Sequence, residues 1–328
     1  MKPAAHPSSP TTNWSLPYGI VLAGGTGERL RAVTEGRQGD HRPKQFCTFT
    51  GTRSMLQHTL DRVKTVVPHQ NVFTVITSGQ ERFLPDALTT APPGRIFTQP
   101  ADRGTAAAVL LPLTAIYERD PDAAVMIFPC DHFVYPEGRF LEYVVATYRL
   151  CRRFRQSLVV LGAAPTSPET DYGWVMTEDP VGNGTSPLLQ VGRFIEKPSP
   201  EEAKRMLRLG GFWSTMVVAA RARTLWDLSW KVLPEVMPQF DTLRGVLHAI
   251  RTGLVDREQE QIAIDHVYQR IEAASFSSDV MQRATDSTLL FPMQDVQWSD
   301  WGRIKRVAAT LRQLGLRTPA PAAQAQAS

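Results

Sequence analysis

The sequence predicts an α/β fold in which a mixed, mostly parallel sheet is flanked by helices. Short apolar runs of strand length alternate with segments of helix length through the first half of the 328 residues. This alternation favours parallel strands joined by crossover helices. A cluster of glycines follows the first apolar run, which is typical of the first turn of such sheets. A hydrophobic content of 42% is sufficient for one large domain or two.

The predicted strands of the first half are short and apolar. They are residues 18–22, 72–77, 95–99, 123–129 and 157–163, separated by helix-like segments at 54–66, 80–89, 104–119 and 138–155. Beyond Ala163 the predicted strands are shorter, at 172–177, 188–195 and 212–219, and helices rich in Trp and Leu follow between 221 and 252. This change of pattern predicts that a folded region of residues 16–316 has two halves, about 16–163 and about 164–316.

The two ends of the chain and its charge exclude several classes of protein. Residues 1–15 are rich in Pro, Ser and Thr, and residues 317–328 read RTPAPAAQAQAS, so both are predicted to be disordered tails. No apolar run has the length of a signal-peptide core or a membrane helix, which predicts a cytoplasmic protein without membrane association. The net charge of +4 is spread without long basic runs, so nucleic-acid binding is not expected.

The three cysteines are widely spaced. Cys47, Cys130 and Cys151 include no C-x-x-C pair. The sequence therefore predicts neither a zinc site nor a disulfide framework.

The residues after the first strand have the composition of a phosphate-binding loop. Leu22 and Ala23 lead into Gly24, Gly25 and Gly27, which allow a sharp turn with the backbone N–H groups facing outward. Such N–H groups bind phosphate. A turn that only closes a strand–helix corner remains an alternative for the glycines taken alone.

Two cations accompany this loop. Arg29 follows it directly, and Lys44 follows Pro43 in the segment RPKQF, so both are expected to converge on a polyphosphate. The loop is not a Walker motif, because Glu28 and Arg29 stand where Lys and a hydroxyl are required. It is not a dinucleotide fingerprint either, because Leu30 takes the place of the third glycine.

These residues resemble a known family. LAGGTGERL followed by PKQF is similar to the signature of sugar-nucleotide pyrophosphorylases, and PKQF resembles the mannose-1-phosphate guanylyltransferases in particular. Seven further blocks follow in the family's order: QPADRGTAAA (99–108), FPCDHFV (128–134), PETDYGWV (168–175), VGRFIEKP (191–198), FWSTM (212–216), IDH (264–266) and VQWSDWG (296–302). The resemblance implies a Rossmann-like fold of the nucleotidyltransferase type, with a nucleotide-binding half (about 16–163) and a sugar-phosphate half (about 164–316).

Asp131 is the strongest candidate metal ligand. It ends an apolar run, where a carboxylate is costly to bury unless it faces a cleft or a cation. Mg²⁺ suits this position because it takes oxygen ligands and commonly bridges one or two carboxylates to substrate phosphates. The resemblance implies that Asp131 and Asp300 together hold Mg²⁺, whereas a helix cap or turn is the alternative for Asp131 alone. His132 is expected to position the loop.

The resemblance also implies roles in substrate binding. Arg29 and Lys44 would be catalytic, and the nucleotide would contact Leu22, Ala23, Gly24, Gly25, Gly27, Arg103 and Thr105. From its position alone, Thr105 is predicted to be a helix N-cap. The sugar phosphate would contact Tyr172, Gly173, Glu196, Lys197 and Ser214, with Lys197 on the phosphate and Glu196 on the sugar hydroxyls. A β-hairpin turn is an alternative for Tyr172 and Gly173 that is compatible with this role.

Several departures from the family's pattern affect the expected substrates. The family's NSG has become Ser214, Thr215 and Met216, its RNT has become residues 103–105, and its WPL has become residues 31–33. The segment between Leu30 and Pro43 is four residues longer than the family's usual spacing and is predicted to form a mobile lid. The charged positions are intact, which favours retained chemistry.

The expected activity is nucleotidyl transfer from an NTP to a sugar-1-phosphate, releasing pyrophosphate. The resemblance implies GTP and mannose-1-phosphate as the substrates, and a homodimer is a further expectation. A non-catalytic sugar-nucleotide sensor of the same fold is an alternative that the altered residues 214–216 favour. A nicotinamide oxidoreductase is a second alternative, but it requires the missing third glycine and an acidic ribose-binding residue.

Overall fold

A computed structural model describes residues 16–34, 41–88, 94–181 and 186–315. The tails predicted at 1–15 and 317–328 lie outside these residues, as does the centre of the predicted lid, 35–40. The strands are β1 (Tyr18–Leu22), β2 (Val72–Thr77), β3 (Arg95–Gln99), β4 (Ala124–Pro129), β5 (Phe133–Tyr135), β6 (Leu158–Ala163), β7 (Gly173–Pro180), β8 (Leu189–Glu196), β9 (Phe212–Arg221), β10 (Thr288–Met293) and β11 (Gln297–Ser299). The helices are α1 (Arg31–Thr34), α2 (Met55–Lys64), α3 (Leu84–Ala87), α4 (Gly104–Arg119), α5 (Glu137–Arg153), α6 (Pro200–Arg208), α7 (Ala222–Val232), α8 (Met237–Arg251), α9 (Gln259–Arg270) and α10 (Ile304–Gln313).

Nine of the described strands form one sheet in the order β3-β2-β1-β4-β9-β6-β10-β8-β7. Strands β3, β2, β1 and β4 pair in parallel, and so do β6 and β10. Within the described part of this sheet, β8 and β9 run against the other seven strands, and they pair antiparallel with their neighbours. The predicted class, α/β with a mixed and mostly parallel sheet, is confirmed.

The central strands are apolar on both faces because helices cover both sides of the sheet. Helices α4, α7, α8 and α9 pack on one face, where Leu110 and Phe240 are buried. Helices α2 and α5 pack on the other, where Leu60 and Phe140 are buried. This core holds the carboxyl ends of the strands in fixed positions, which is where the candidate site lies.

Local patterns did not predict the middle of the sheet. Neither β10 nor α9 was predicted, and β9 enters between β4 and β6 with Val218 opposite both Ile127 and Val160. Strand order depends on contacts between residues distant in sequence, which local patterns do not contain. The helix predicted at 80–89 is instead a 3₁₀ turn (Glu81–Phe83) followed by the single turn α3.

A separate two-stranded ladder joins two distant parts of the chain. Strands β5 and β11 pair antiparallel, with Phe133 opposite Ser299. Asp131 lies two residues before β5 begins, and Asp300 comes directly after β11. This register therefore brings both aspartates to the same end of the ladder.

Candidate active site

A cavity of about 610 Å³ lies at the carboxyl ends of β1 and β4 and reaches β7, β8 and β9. Ligands bind at this edge of open α/β sheets. The lining includes fourteen of the residues predicted for the site: Leu22, Gly24, Gly25, Gly27, Arg29, Lys44, Thr105, Asp131, Tyr172, Gly173, Glu196, Lys197, Ser214 and Asp300. Of the other two, Ala23 is fully buried beneath the loop and Arg103 does not line the cavity.

The glycine-rich loop turns its carbonyl groups into the protein. Gln45 Nε2 donates to the carbonyl oxygens of Ala23 and Gly25, both at 2.7 Å. Thr77 Oγ1 donates to the carbonyl oxygen of Gly24 at 2.9 Å. In a planar trans peptide the N–H points away from the C=O, so the N–H groups that follow these carbonyls face the cavity. A row of outward N–H groups is an anion-binding arrangement.

Gly27 holds this loop against the segment that carries Lys44. Its φ of 72° lies in the left-handed region that favours glycine. A Cβ at this position would lie 2.9 Å from the backbone nitrogen of Lys44 and 3.1 Å from Cα of Pro43. Because only glycine permits this approach, the loop and the 3₁₀ turn Lys44–Phe46 form one unit.

Lys44 connects the two predicted metal ligands. Its Nζ lies 2.8 Å from Asp131 Oδ2 and donates to the main-chain carbonyl of Asp300 at 3.5 Å. Burial by itself would lower the pKa of Lys44, but Asp131 and Asp300 raise it above its ordinary value. Burial would raise the pKa of Asp131, and Lys44 and His132 lower it. Lys44 and Asp131 are therefore a charged pair at neutral pH.

His132 is neutral and packed into the wall of the cavity. Burial lowers its pKa to about 4, although Asp131 and Asp300 oppose this shift. Its ring meets that of Trp298 edge to face at 5.0 Å. Arg62 Nη2 donates to its carbonyl oxygen at 3.2 Å. These contacts support the expectation that His132 positions the end of β4.

The donors around Asp131 and Asp300 fit Mg²⁺. In the described part of the chain no three His, Cys, Asp or Glu side chains converge on a point that a metal ion could occupy. Two carboxylates on one cavity nevertheless match the usual mode of Mg²⁺, which keeps several waters and binds substrate phosphates. Asp131 Oδ1 lies 3.6 Å from His132 Nε2, beyond hydrogen-bond distance, and is free of a short contact to that ring.

Arg306 anchors Asp300, and the sequence patterns did not identify it. Its Nε donates to Asp300 Oδ1 at 2.9 Å, and its Nη2 donates to Oδ2 at 3.2 Å. The Tyr172 hydroxyl also donates to Asp300 Oδ1 at 3.2 Å, and the Arg306 guanidinium lies 4.8 Å from the centre of the Tyr172 ring. Asp300 therefore has a structural role in addition to its predicted role at a metal.

Asp171 is a second carboxylate beside the ion pair of Arg306 and Asp300. Burial would raise its pKa, but hydrogen bonds from Arg303 and Arg306 lower it to about 2. Arg29 Nη1 lies 3.8 Å from Asp171 Oδ1, and the Arg29 side chain is 55% exposed. Arg29 thus lies at the mouth of the cavity, able to exchange this long contact for a ligand anion.

Glu196 and Lys197 form the opposite wall. Lys197 has a φ of 48°, and its Nζ lies 3.6 Å from Glu196 Oε1. Burial raises the pKa of Glu196, and Lys197 and Ser277 offset the rise only in part. Gly173 pairs with Glu196 across β7 and β8, where a Cβ would lie 2.8 Å from Glu196 Oε2. Gly173 therefore begins β7 at the open end of the β7–β8 hairpin, whose turn comes after Pro180, so the alternative of a β-hairpin turn at Tyr172 and Gly173 is wrong.

Thr105 is not the predicted N-cap. Helix α4 begins at Gly104, which has a φ of 80°, and its N-cap is Arg103 without a side-chain cap. Thr105 Oγ1 instead accepts a hydrogen bond from the backbone N–H of Phe276 at 2.8 Å. Arg103 Nε donates to the carbonyl oxygen of Tyr268 at 2.9 Å. This geometry does not favour the predicted contact between Arg103 and a nucleotide.

The fold is of the nucleotidyltransferase type, and its cavity lies at the carboxyl ends of the strands. A family model described as Nucleotidyl transferase matches residues 18–241, and the chain belongs to this family.

Three relatives show what the chain is similar to. It is 27% identical to a mannose-1-phosphate guanylyltransferase of Escherichia coli, over 86% of this chain and 57% of that protein. It is 27% identical to the xanthan biosynthesis protein XanB of Xanthomonas campestris, with the same two coverages of 86% and 57%. A crystal structure described as mannose-1-phosphate geranyltransferase from Thermus thermophilus superposes with a TM-score of 0.72 and 26% identity, covering 89% of this chain and 79% of that one. The chain thus spans somewhat more than half the length of the curated relatives it matches.

The helices also bear on the expectation about membranes. None of those in the described residues combines the length and the apolar character that a membrane span requires.

Proposed function

We propose that the chain transfers a nucleotidyl group from an NTP to a sugar-1-phosphate and releases pyrophosphate. One observation carries this proposal: the glycine-rich loop, Lys44 and the carboxylates Asp131 and Asp300 meet on one cavity. The names of the relatives support GTP and mannose-1-phosphate as the two substrates. They also support a place in GDP-mannose and polysaccharide biosynthesis.

The loop side of the cavity would bind the NTP. The outward N–H groups after residues 23–25 would hold phosphate oxygens, and Arg29 and Lys44 would neutralise their charge. Thr105 lines the same cavity, in the first turn of α4. Its hydroxyl already accepts one hydrogen bond and still has a proton to donate to a nucleotide.

The opposite wall would bind the sugar phosphate. Lys197 would bind the phosphate, because its ammonium has a single long contact at 3.6 Å to Glu196 and half of its side chain is exposed. Glu196 would accept hydrogen bonds from sugar hydroxyls. Tyr172, Gly173 and Ser214 lie on the same wall and would complete the pocket.

Asp131 and Asp300 would hold Mg²⁺. Bound there, Mg²⁺ would supply positive charge to offset the negative charge that develops during transfer. Lys44, which neutralises Asp131 in this structure, would then be available to the triphosphate.

The reaction itself needs no covalent enzyme intermediate. A phosphate oxygen of the sugar-1-phosphate would bond to the α-phosphorus of the NTP while the bond from that phosphorus to the β-phosphate bridging oxygen breaks, so pyrophosphate leaves in line. Such a transfer requires positioning and charge neutralisation from the protein. Arg29, Lys44 and the loop N–H groups are placed to supply both.

The remaining predictions belong to the same proposal. They are a cytoplasmic location, a homodimer, and nucleotide-binding and sugar-phosphate halves within residues 16–316. Size-exclusion chromatography with light scattering would test the homodimer.

A substrate matrix tests the proposed activity. Each NTP is combined with each of several hexose-1-phosphates in the presence of Mg²⁺, and pyrophosphate release is measured. We expect the highest rate with GTP and mannose-1-phosphate. At an NTP concentration below the wild-type KM, Lys44→Ala should lose most of this rate, whereas Lys231→Ala, at an exposed position on α7, should keep it.

The result that would overturn the proposal is a folded protein that binds nucleotide in a thermal-shift assay yet releases no pyrophosphate with any pair. A non-catalytic sensor would then replace the enzyme. Stabilisation by NADH but not by GTP would instead favour the oxidoreductase alternative.

A further inference from the structure

Met216 has a backbone conformation that side chains rarely adopt. Its φ of 57° lies in the left-handed region, where a residue with a Cβ is strained. Among the described residues, the other non-glycine positions with positive φ are Lys197, Asp295 and Trp301. Met216 and Lys197 both line the cavity. Strain of this kind persists where the surrounding structure requires it, which is often at a ligand site.

The thioether of Met216 is held in place on the cavity wall. Ser277 Oγ donates to Met216 Sδ at 3.1 Å. Ser277 also lies close enough to Glu196 to lower the pKa of its carboxyl, and the Met216 N–H donates to Ser214 Oγ at 3.3 Å. These four residues, Glu196, Ser277, Met216 and Ser214, all line the cavity. The methionine thus stands among the side chains proposed to bind the sugar.

We propose that Met216 limits the size of the sugar that the cavity accepts. A glycine at this position would relieve the strained backbone and would leave the space open. The methionine instead keeps the strain and places an apolar side chain in an otherwise polar wall of the cavity. That side chain favours hexose-1-phosphates without a bulky substituent and excludes their 2-acetamido counterparts. The inference rests on the proposed function, because it assumes that the sugar lies beside Glu196 and Ser214.

Two glycine substitutions test the role of Met216. Met216→Gly removes a side chain from a positive-φ position in the cavity, and Asp295→Gly removes one from an exposed positive-φ position outside it. We measure kcat/KM for a hexose-1-phosphate and for the matching 2-acetamido hexose-1-phosphate. Met216→Gly should shift the ratio toward the larger substrate at least tenfold, since even one methylene in a pocket changes selectivity by about 10–200-fold. Asp295→Gly should leave the ratio unchanged.

An unchanged ratio in Met216→Gly, or an equal shift in both variants, would overturn the inference. A failure of the proposed function is distinguishable, because it would remove turnover from the wild type as well. In that case the dissociation constants of the two sugar phosphates, measured by calorimetry, still test Met216. Equal relative affinities in the wild type and Met216→Gly would then exclude it as a determinant of size.

Discussion

Replacing Gly27 by alanine tests whether the loop and the Lys44 segment act as one unit. The left-handed backbone at this position costs a residue with a Cβ about 1–2 kcal/mol. The new Cβ would also lie 2.9 Å from a backbone nitrogen, and overpacking of this kind typically costs about 1–3 kcal/mol. We expect the free energy of unfolding to fall by about 2–5 kcal/mol in total. The KM for the NTP should rise as well, because the displaced Lys44 would no longer lie beside the loop.

Gly25→Ala is the matched control for this prediction. A Cβ on Gly25 meets no atom within 4 Å, so we expect a stability change within about 0.5 kcal/mol, as at an ordinary surface position. Its KM for the NTP should still rise, since a methyl group would stand where the backbone approaches phosphate. Urea unfolding followed by tryptophan fluorescence measures stability, and pyrophosphate release measures KM. The reasoning is refuted if Gly27→Ala is as stable as the wild type or if both variants lose the same stability.

Three further predictions concern the charged groups. Lys44→Ala should mainly raise the KM for the NTP, and Lys197→Ala should mainly raise the KM for the sugar-1-phosphate. Each increase should be at least tenfold, because a hydrogen bond to a charged group contributes about 1.5–3 kcal/mol. Steady-state kinetics with each substrate varied in turn would show this, and identical defects would contradict the division of the cavity. Asp131→Asn and Asp300→Asn should each abolish turnover across a Mg²⁺ titration. Asp300→Asn should also lower the midpoint of thermal unfolding, because it weakens the hydrogen bonds from Arg306. A variant with near wild-type activity would show that the substituted residue is not part of the metal site. Asp171→Asn should cost about 2 kcal/mol at pH 7, because the pKa of Asp171 falls from 3.8 to about 2 on folding. That stabilisation is complete above the unfolded-state pKa and disappears as the pH falls toward 2, so urea unfolding at several pH values should show the variant and the wild type converging in acid. A difference that does not change with pH would count against the ion pairs with arginine.

Features with local signals were predictable from the sequence. The strands β1, β2, β3, β4 and β6 are apolar runs of the correct length, and the structure confirms each within one residue. The glycine-rich loop was predictable for the same reason, since the positions that need a left-handed or crowded backbone have a distinct residue type. Position at the end of an apolar strand also placed Asp131 at the cavity, and Lys44 was predicted there from the segment RPKQF.

Features that depend on distant contacts were not predictable. Gln45 is 2% exposed and ties down two loop carbonyls, but a glutamine within PKQF carries no signal that its amide is buried. Arg306 lies on an amphipathic helix whose pattern does not show that one arginine faces Asp300 and Asp171. The N-cap prediction for Thr105 was wrong because the helix begins at the left-handed Gly104, two residues earlier than Thr105 as an N-cap would require.

The late position of β9 in the sequence has a consequence for synthesis on the ribosome. β4 is complete at Pro129, but β9, which pairs along its edge, ends only at Arg221. At typical rates of translation the residues between Pro129 and Arg221 take about 5–20 s to make. Throughout this interval the backbone of β4 presents an unpaired edge, the feature by which nascent chains associate wrongly with one another. The yield of folded protein should therefore depend on chaperones and on growth temperature more steeply than the stability of the finished sheet would indicate.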